Sequence, residues 1–294
     1  MKKLPLIISF LLAATAGVVG CDSDDNDTVV PAIQPEDAEP TDSTGLVIIG
    51  NECIDTVNHV VYTIDAKTNT AVVKAGRRID GVHIDTLRPG CPDVQGEITL
   101  LDHFEANGNT ITVTGIGDYS LCGLENLTAV HIPQTITSIG AFAFAACSSM
   151  EYVTVPEGIT AINDYAFYGC TSLKRVSLPE SLTTIAQGAF HKCEQMEGIT
   201  LPENLEVIGS IAFCMSGLKT LTIPASVKEI GENALFTESL HTIYSYIKDP
   251  FEVQAFNKQS EFFDNATLYV PKGCKKKYQN TMDWCLFKNI VEME

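Results

Sequence analysis

One 23-residue line recurs through the middle of this chain with its apolar letters in place. "GAFAFAACSSMEYVTVPEGITAI" (140–162), "NDYAFYGCTSLKRVSLPESLTTI" (163–185) and "AQGAFHKCEQMEGITLPENLEVI" (186–208) are consecutive copies. Pro133, Pro156, Pro179 and Pro202 keep the step, and Pro224 follows one residue early. Ile139, Ile162, Ile185, Ile208 and Ile230 do the same. Phe144, Phe167, Phe190 and Phe213 form a third series, with Leu121 and Leu235 in the Phe place at its ends. Six units result: 117–139, 140–162, 163–185, 186–208, 209–230 and a worn one from 231. Self-similarity at such a period points to a repeat architecture.

Each unit is too small to fold alone. Its few large apolar side chains cannot offset the ordering entropy of the whole unit, so adjacent coils must share a core and complete each other's strands. In "LKRVSL" (173–178) the apolar residues Leu173, Val176 and Leu178 end in period two, which suits a short strand. Pro179 stops the strand, because proline cannot donate to a ladder. "AFYGC" (166–170) reads as a tight turn. Identical apolar positions recur because each lies beneath its own copy in the next coil. The predicted fold is mainly β, a solenoid of about six 22–23-residue coils over 117–253. A β-rich N-terminal cap (46–116) and a small C-terminal cap (254–294) close it. In the first cap, "HVVYTIDAKTNTAVVKAG" reads as two strands around an Asn-containing turn.

The chain opens with "MKKLPLIISFLLAATAGVVGC". Lys2 and Lys3, the apolar run Leu4–Val19 and Gly20 before Cys21 make a secretory leader too short to be a lasting membrane span. A small residue before Cys resembles a bacterial lipobox, in which Cys21 is lipidated and residues 1–21 form the lipoprotein signal. Residues 22–44 hold eight Asp or Glu and no Lys or Arg, so 22–45 is expected to be a disordered acidic tether. The whole chain has net charge −18 and no basic stripe, which argues against nucleic acid.

The repeat unit resembles the BspA-like bacterial leucine-rich repeat, carried by "INDYAFYGCTSLKRVSLPESLTTI" and its copies over about residues 105–294. "ATLYVPKGCKKKYQNTMDW" (266–284) also resembles the C-terminal cap of that family. The resemblance implies a surface lipoprotein of Bacteroides type, lipid-anchored in the outer membrane, with an acidic export patch after Cys21. It implies a concave sheet surface on which a macromolecule docks, and adhesion to host matrix proteins or other cells as the function. A glycan-binding accessory lipoprotein and an envelope structural or assembly protein are the alternatives. The expected partner is a host or cell-surface protein, or a glycan, with the membrane reached through the lipid only. The first coil carries its Cys at 122, and the fifth and sixth coils are one residue short.

No catalytic motif is visible: no nucleophile elbow, phosphate loop, dinucleotide fingerprint or zincin helix. An enzyme and a cofactor are therefore not expected. Cys147, Cys170 and Cys193 share one repeat position and read as an inward ladder of buried thiols, not a metal site, since no C-x-x-C or matching His accompanies them. Cys122 and Cys214 are expected in the core as well. Cys53 with Cys91, and Cys274 with Cys285, are candidate cap disulfides. "CKKKY" (274–278) reads as a solvated helix face.

What remains is the surface of the repeated strand. If Val176 and Leu178 point inward, Ser177 points out, with Lys174 and Arg175 leading into it. Corresponding positions in other coils are Thr128, Ala129 and His131; Glu151, Tyr152 and Thr154; Glu197, Gly198 and Thr200; Lys219, Thr220 and Thr222; and His241, Thr242 and Tyr244. The candidate partner-binding residues are Tyr152, Thr154, Lys174, Arg175, Ser177, Thr200, Lys219, Thr222 and Tyr244. Tyr152 beside Lys174 and Arg175 is the favoured patch, because Tyr and Arg are frequent interface anchors.

Overall fold

The computed structural model describes residues 45–55, 60–74, 94–256 and 260–294. The leader, Cys21, the acidic tether and Cys91 lie outside the described residues.

The first strands are β1 (Leu46–Ile49), β2 (Glu52–Asp55), β3 (Val60–Asp65) and β4 (Thr70–Lys74), an antiparallel meander. The expected turn between β3 and β4 is there, with Asn69 at φ 52°. Next come β5 (Gly96–Thr99), β6 (His103–Ala106) and β7 (Asn109–Ile116). Asn107 and Gly108 take φ 53° and 76° between β6 and β7, the left-handed pair that a tight hairpin requires. β4 then pairs in parallel with β7, which joins the meander to the coils.

The coils carry β8 (Leu127–His131), β9 (Ser138–Ile139), β10 (Tyr152–Thr154), β11 (Ala161–Ile162), β12 (Arg175–Ser177), β13 (Thr184–Ile185), β14 (Val207–Ile208), β15 (Thr220–Ile223), β16 (Glu229–Ile230) and β17 (Thr242–Ser245). β18 (Thr267–Val270) and β19 (Asn289–Glu292) follow. Three ladders join successive coils. The first is the expected strand column, in two parallel sheets ordered β5-β8-β10-β12 and β15-β17-β18-β19. The second, unforeseen, is a column of two-residue strands at the repeated Ile, ordered β11-β13-β14-β16, with β9 on β7. The third runs along the "AF" corner, where Phe144, Phe167, Phe190 and Phe213 donate their amides to Ala166, Ala189, Ala212 and Ala234 of the next coil.

The chain is a β-solenoid of about eight turns with repeats about 23 residues apart. The count exceeds six because strands from both segments read as caps extend the first ladder. β5 pairs in parallel with β8, and β18 and β19 continue from β17. The steps from β5 to β8 (Glu97 opposite Ala129) and from β17 to β18 (Thr242 opposite Thr267) are longer than the repeat, so periodicity does not show them. Burial follows the template. The rings of Phe144, Phe167, Phe190 and Phe213 stack at centroid spacings of 5.1, 5.4 and 5.5 Å, and Leu121 and Leu235 are buried at the ends of that row. Under the last coils Phe256, Phe263, Trp284 and Phe287 pack edge to face.

The thiol ladder is present. Cys147, Cys170 and Cys193 are buried and donate to the carbonyls of Leu121, Phe144 and Phe167 at 3.0, 3.1 and 3.3 Å. Burial raises all three thiols far above the ordinary range. Cys214 is in the core, while Cys122 is only half-buried. The expected Cys274–Cys285 bond is not formed: both are free, Cys274 turned inward to the Lys248 carbonyl and Cys285 exposed. Cys274 precedes and Cys285 follows the helix Lys275–Gln279, which carries the basic run as a solvated face. Cys53 is also free and buried.

His191 is the buried titratable group of the corner. Its ring lies 5.4 Å from that of Tyr168, its Nδ1 has no partner among the described residues, and the Lys192 charge is near it. Desolvation, and then the Lys192 charge, pull its pKa down to about 4.

Two measurements test this packing. Iodoacetamide on the native protein is expected to modify Cys285 and to spare Cys147, Cys170 and Cys193 until denaturant is added, read by peptide mass spectrometry; native labelling of Cys170 contradicts the ladder. Stability is expected to fall as pH drops from about 6.5 to about 4, because the unfolded chain there binds the proton that folded His191 refuses. The melting temperature of wild type minus that of His191→Phe should fall between neutral pH and about pH 4 if this holds, and a pH-independent difference would refute it.

Candidate functional site

Each outward position of the first ladder sits on a strand whose inward neighbours are fixed by the core. Tyr152 and Thr154 flank buried Val153, and Thr220 and Thr222 flank buried Leu221. The register sets Tyr152 opposite Arg175, Thr154 opposite Ser177, and Thr222 opposite Tyr244. The expected residues therefore share one face, but they gather in three places along it.

At the N-terminal end, Tyr152 donates its hydroxyl to Glu97 Oε1 at 2.8 Å, and His131 Nε2 lies 2.9 Å from Glu97 Oε2. Hydrogen bonds from His131 and Tyr152 lower the Glu97 pKa, and the Glu97 carboxylate raises that of Tyr152. The network holds the Tyr152 ring, which is 41% exposed, across the Ala129 position between the two strands. His131 is solvated as expected, but its carboxylate partner lies outside the repeat and carries no periodic signal.

At the other end, Tyr244 stacks on Tyr269 of β18 at 4.6 Å and 16°. Sequence reasoning missed Tyr269 because the step from Tyr244 is longer than a repeat.

The middle of the face differs most from expectation. Coil four supplies "EGIT" (197–200), expected as a strand like the others. It is not one: β12 ends one sheet, β15 begins the next, and among the described residues no backbone hydrogen bond is made by residues 198–200. Two features of sequence coincide with the opening. Gly198 stands where Tyr152 and Arg175 stand in the coils before it, and glycine weakens a strand interior. The next coil loses a residue at Gly217, whose amide bonds the Cys193 carbonyl at 3.1 Å. A β-carbon at Gly217 would collide with the Glu194 carbonyl. The shortened corner leaves the entry to the next strand in register: the Lys219 amide bonds the Glu197 carbonyl at 3.0 Å, as the Lys174 amide bonds that of Glu151 at 2.9 Å.

The consequence is a trough. One hollow of about 390 Å³ is lined by residues including Lys174, Arg175, Val176, Gly198, Thr200 and Thr222. A second, of about 310 Å³, shares Arg175, Val176 and Thr200 and reaches Ser177, Leu178, Pro202 and, at its far end, Glu180. Together they follow the strand direction from Lys174 to Leu178, about 13 Å at roughly 3.3 Å per residue. Val176 and Ile199 form an apolar floor and are half-buried, whereas Val153 and Leu221 at the equivalent positions are buried. Lys174 pairs with Glu151 at 3.2 Å and Lys219 with Glu197 at 2.6 Å, exposed pairs of small energy. Arg175 makes no ion pair or side-chain hydrogen bond among the described residues.

Of the nine expected partner-binding residues, Lys174, Arg175, Ser177, Thr200 and Thr222 thus line the trough. Tyr152 and Thr154 lie beside it on β10, Lys219 is an exposed ion-paired neighbour leading into β15, and Tyr244 belongs to the tyrosine pair. Among the described residues no group of three or more His, Cys, Asp or Glu could hold a metal ion. No helix among them is long and apolar enough to cross a membrane.

Stacked coils, two strand columns and a thiol-bearing corner define the class: a leucine-rich-repeat solenoid. Residues 114–241 match the family model described as "BspA type Leucine rich repeat region", in six copies, and this part of the chain is a repeat region of that family. Solved structures with the same kind of fold include a leucine rich cell surface protein of Faecalibacterium prausnitzii, 21% identical over 85% of this chain and 77% of that one, TM-score 0.49. The T. pallidum leucine rich repeat protein is 23% identical over 71% of this chain and 77% of that one, TM-score 0.42. A leucine-rich repeat protein of Bacteroides capillosus is 22% identical over 67% of this chain and 99% of that one, TM-score 0.32. No curated protein matches the sequence significantly.

Hydrogen–deuterium exchange tests the opening. Peptides covering 197–201 are expected to exchange faster than those covering 151–155 and 219–223, since their amides lack ladder partners. Equal protection of the three would mean that the first ladder is continuous.

Proposed function

We propose that this chain is a non-catalytic recognition protein that binds a macromolecule on the first-ladder face, in cell adhesion or capture of a host or cell-surface protein. The observation that carries the reading is the trough at coil four. There a regular apolar frame gives way to a shaped depression with an apolar floor, hydroxyl walls and an unpaired arginine. Such a mix of apolar centre and polar rim is what interfaces use. Attachment through a lipid on Cys21, with residues 22–45 as spacer, would tether this recognition protein to an outer membrane surface. A glycan-binding role is the second reading, favoured by the Tyr244–Tyr269 pair and by Tyr152.

The test is a pull-down with the full chain against host matrix proteins and soluble polysaccharides, beside a Lys174→Glu/Arg175→Glu variant. Capture of a protein by wild type, reduced at least tenfold in the variant, is the expected result. Capture of a polysaccharide indifferent to the variant would move the reading to glycans and the tyrosine pair. Absence of both would overturn recognition by this face.

A further inference from the structure

We infer that the trough at coil four takes an extended polypeptide segment carrying acidic side chains, which lies along the strand direction and bonds to the peptide groups left free at Val176 and residues 198–200. This rests on the recognition reading above and specifies the chemistry of its partner.

Four observations converge. Main-chain groups come first. In a parallel ladder, alternate residues turn their N–H and C=O to opposite neighbours. Arg175 and Ser177 turn theirs toward β10: the Arg175 amide bonds Glu151 and the Ser177 carbonyl accepts from Val155. Val176 therefore turns its groups toward coil four, where residues 198–200 make no backbone bond. Donors and acceptors at strand spacing are complementary to another extended backbone, the basis of strand addition.

Shape comes second. The trough runs over residues 198–200 between β12 and β15, and Gly198 adds no side chain to fill it; a β-carbon there would meet nothing within 4 Å. Charge comes third. Arg175 is exposed and without an ion pair among the described residues, Glu180 lies only at the Leu178 end of the lining, and a guanidinium is matched by a carboxylate in bidentate geometry. Apolar surface comes fourth. Val176, Ile199 and Leu178 lie half-buried along the floor, so an extended segment with apolar side chains on its inner side and carboxylates on its outer side would satisfy both. A uronate-bearing polysaccharide would use Arg175 but would leave the peptide groups and the apolar floor unmatched.

The probes are a fluorescein-labelled decapeptide in which Asp and Val alternate, its Lys/Val counterpart, and soluble polygalacturonate as competitor. Polarisation is measured with the full chain, with Arg175→Glu and with Gly198→Val. Both positions are solvent-exposed and a β-carbon at 198 meets nothing within 4 Å, so both variants are expected to melt within a few degrees of wild type. Gly198→Val fills the trough and favours a regular strand without changing charge. The expected result is binding of the Asp/Val peptide at least tenfold tighter than of the Lys/Val peptide, weakened at least tenfold in each variant and not competed by polygalacturonate. Binding unchanged in Gly198→Val would overturn the proposal, because carboxylate attraction alone would then suffice. Equal binding of the Lys/Val peptide, full competition by polygalacturonate, or no binding of either peptide would overturn it too. A macromolecule captured in the pull-down through Arg175 but indifferent to Gly198→Val would remove the extended-segment mode and leave recognition by the face intact.

Discussion

Everything in this solenoid depends on backbone groups of one coil finding partners in the next. No coil contains enough hydrogen bonds of its own, and the core lies between coils, not within them. The corner shows how strictly this is kept. Tyr119, Phe142, Tyr165, Gly188, Ile211 and Asn233 all adopt φ between 51° and 61°, and each donates its amide to the following coil. Bulky residues enter that left-handed region at some cost. Here the cost is offset by a bond every coil repeats and, for Tyr119, Phe142 and Tyr165, by stacking at 4.8 and 4.9 Å. The small Ala before each Phe follows from the same constraint: Ala143, Ala166, Ala189, Ala212 and Ala234 are buried and accept the ladder bonds of the preceding coil.

That redundancy explains why the first ladder can open without loss of the coil. Coil four is still tied to its neighbours along the other two columns. Its corner amides Gly188, Phe190 and Lys192 bond Ser210, Ala212 and Cys214, and β14 pairs on both sides with β13 and β16. Phe190 remains stacked between Phe167 and Phe213. The core is thus anchored at the corner and the second ladder, and the face bearing the trough carries the least structural burden. A surface relieved of holding the fold together is free to vary in shape, a general reason that recognition sits on elements positioned by a rigid scaffold.

The legibility of the sequence divides along the same line. The positions that must superpose, such as Phe167, Cys170, Leu173 and Ile185, announce themselves by recurrence, so core, coil length and turn were readable. So was the side on which Arg175, Ser177, Thr200 and Thr222 emerge, because strand alternation follows from Val176. The repeated Ile was recognised as apolar but not as a second strand column, since two residues are too short to show a period. Glu97 and Tyr269 were invisible because the chain reaches them through segments of other lengths. Periodicity sees only what is repeated, and long-range pairs across unequal loops are not.

The trough belongs to a different category, because its determinants were on the page and were misjudged. Gly198 at an outward strand position costs strand propensity, and the coil that follows is one residue short at a corner where Gly217 lies against the Glu194 carbonyl. Either alone is compatible with a closed ladder: β15 and β17 also follow a 22-residue step, and they pair fully over four residues. The difference lies in what stands between the strands. Thr220 and Thr222 face Thr242 and Tyr244, side chains that pack across a ladder, whereas Gly198 offers nothing to Arg175 or Thr220. Without a cross-strand contact, the ladder yields at that point. A departure from the repeat is therefore most informative where two coincide on one face, because a solenoid absorbs one irregularity through its other columns and exposes the second as shape.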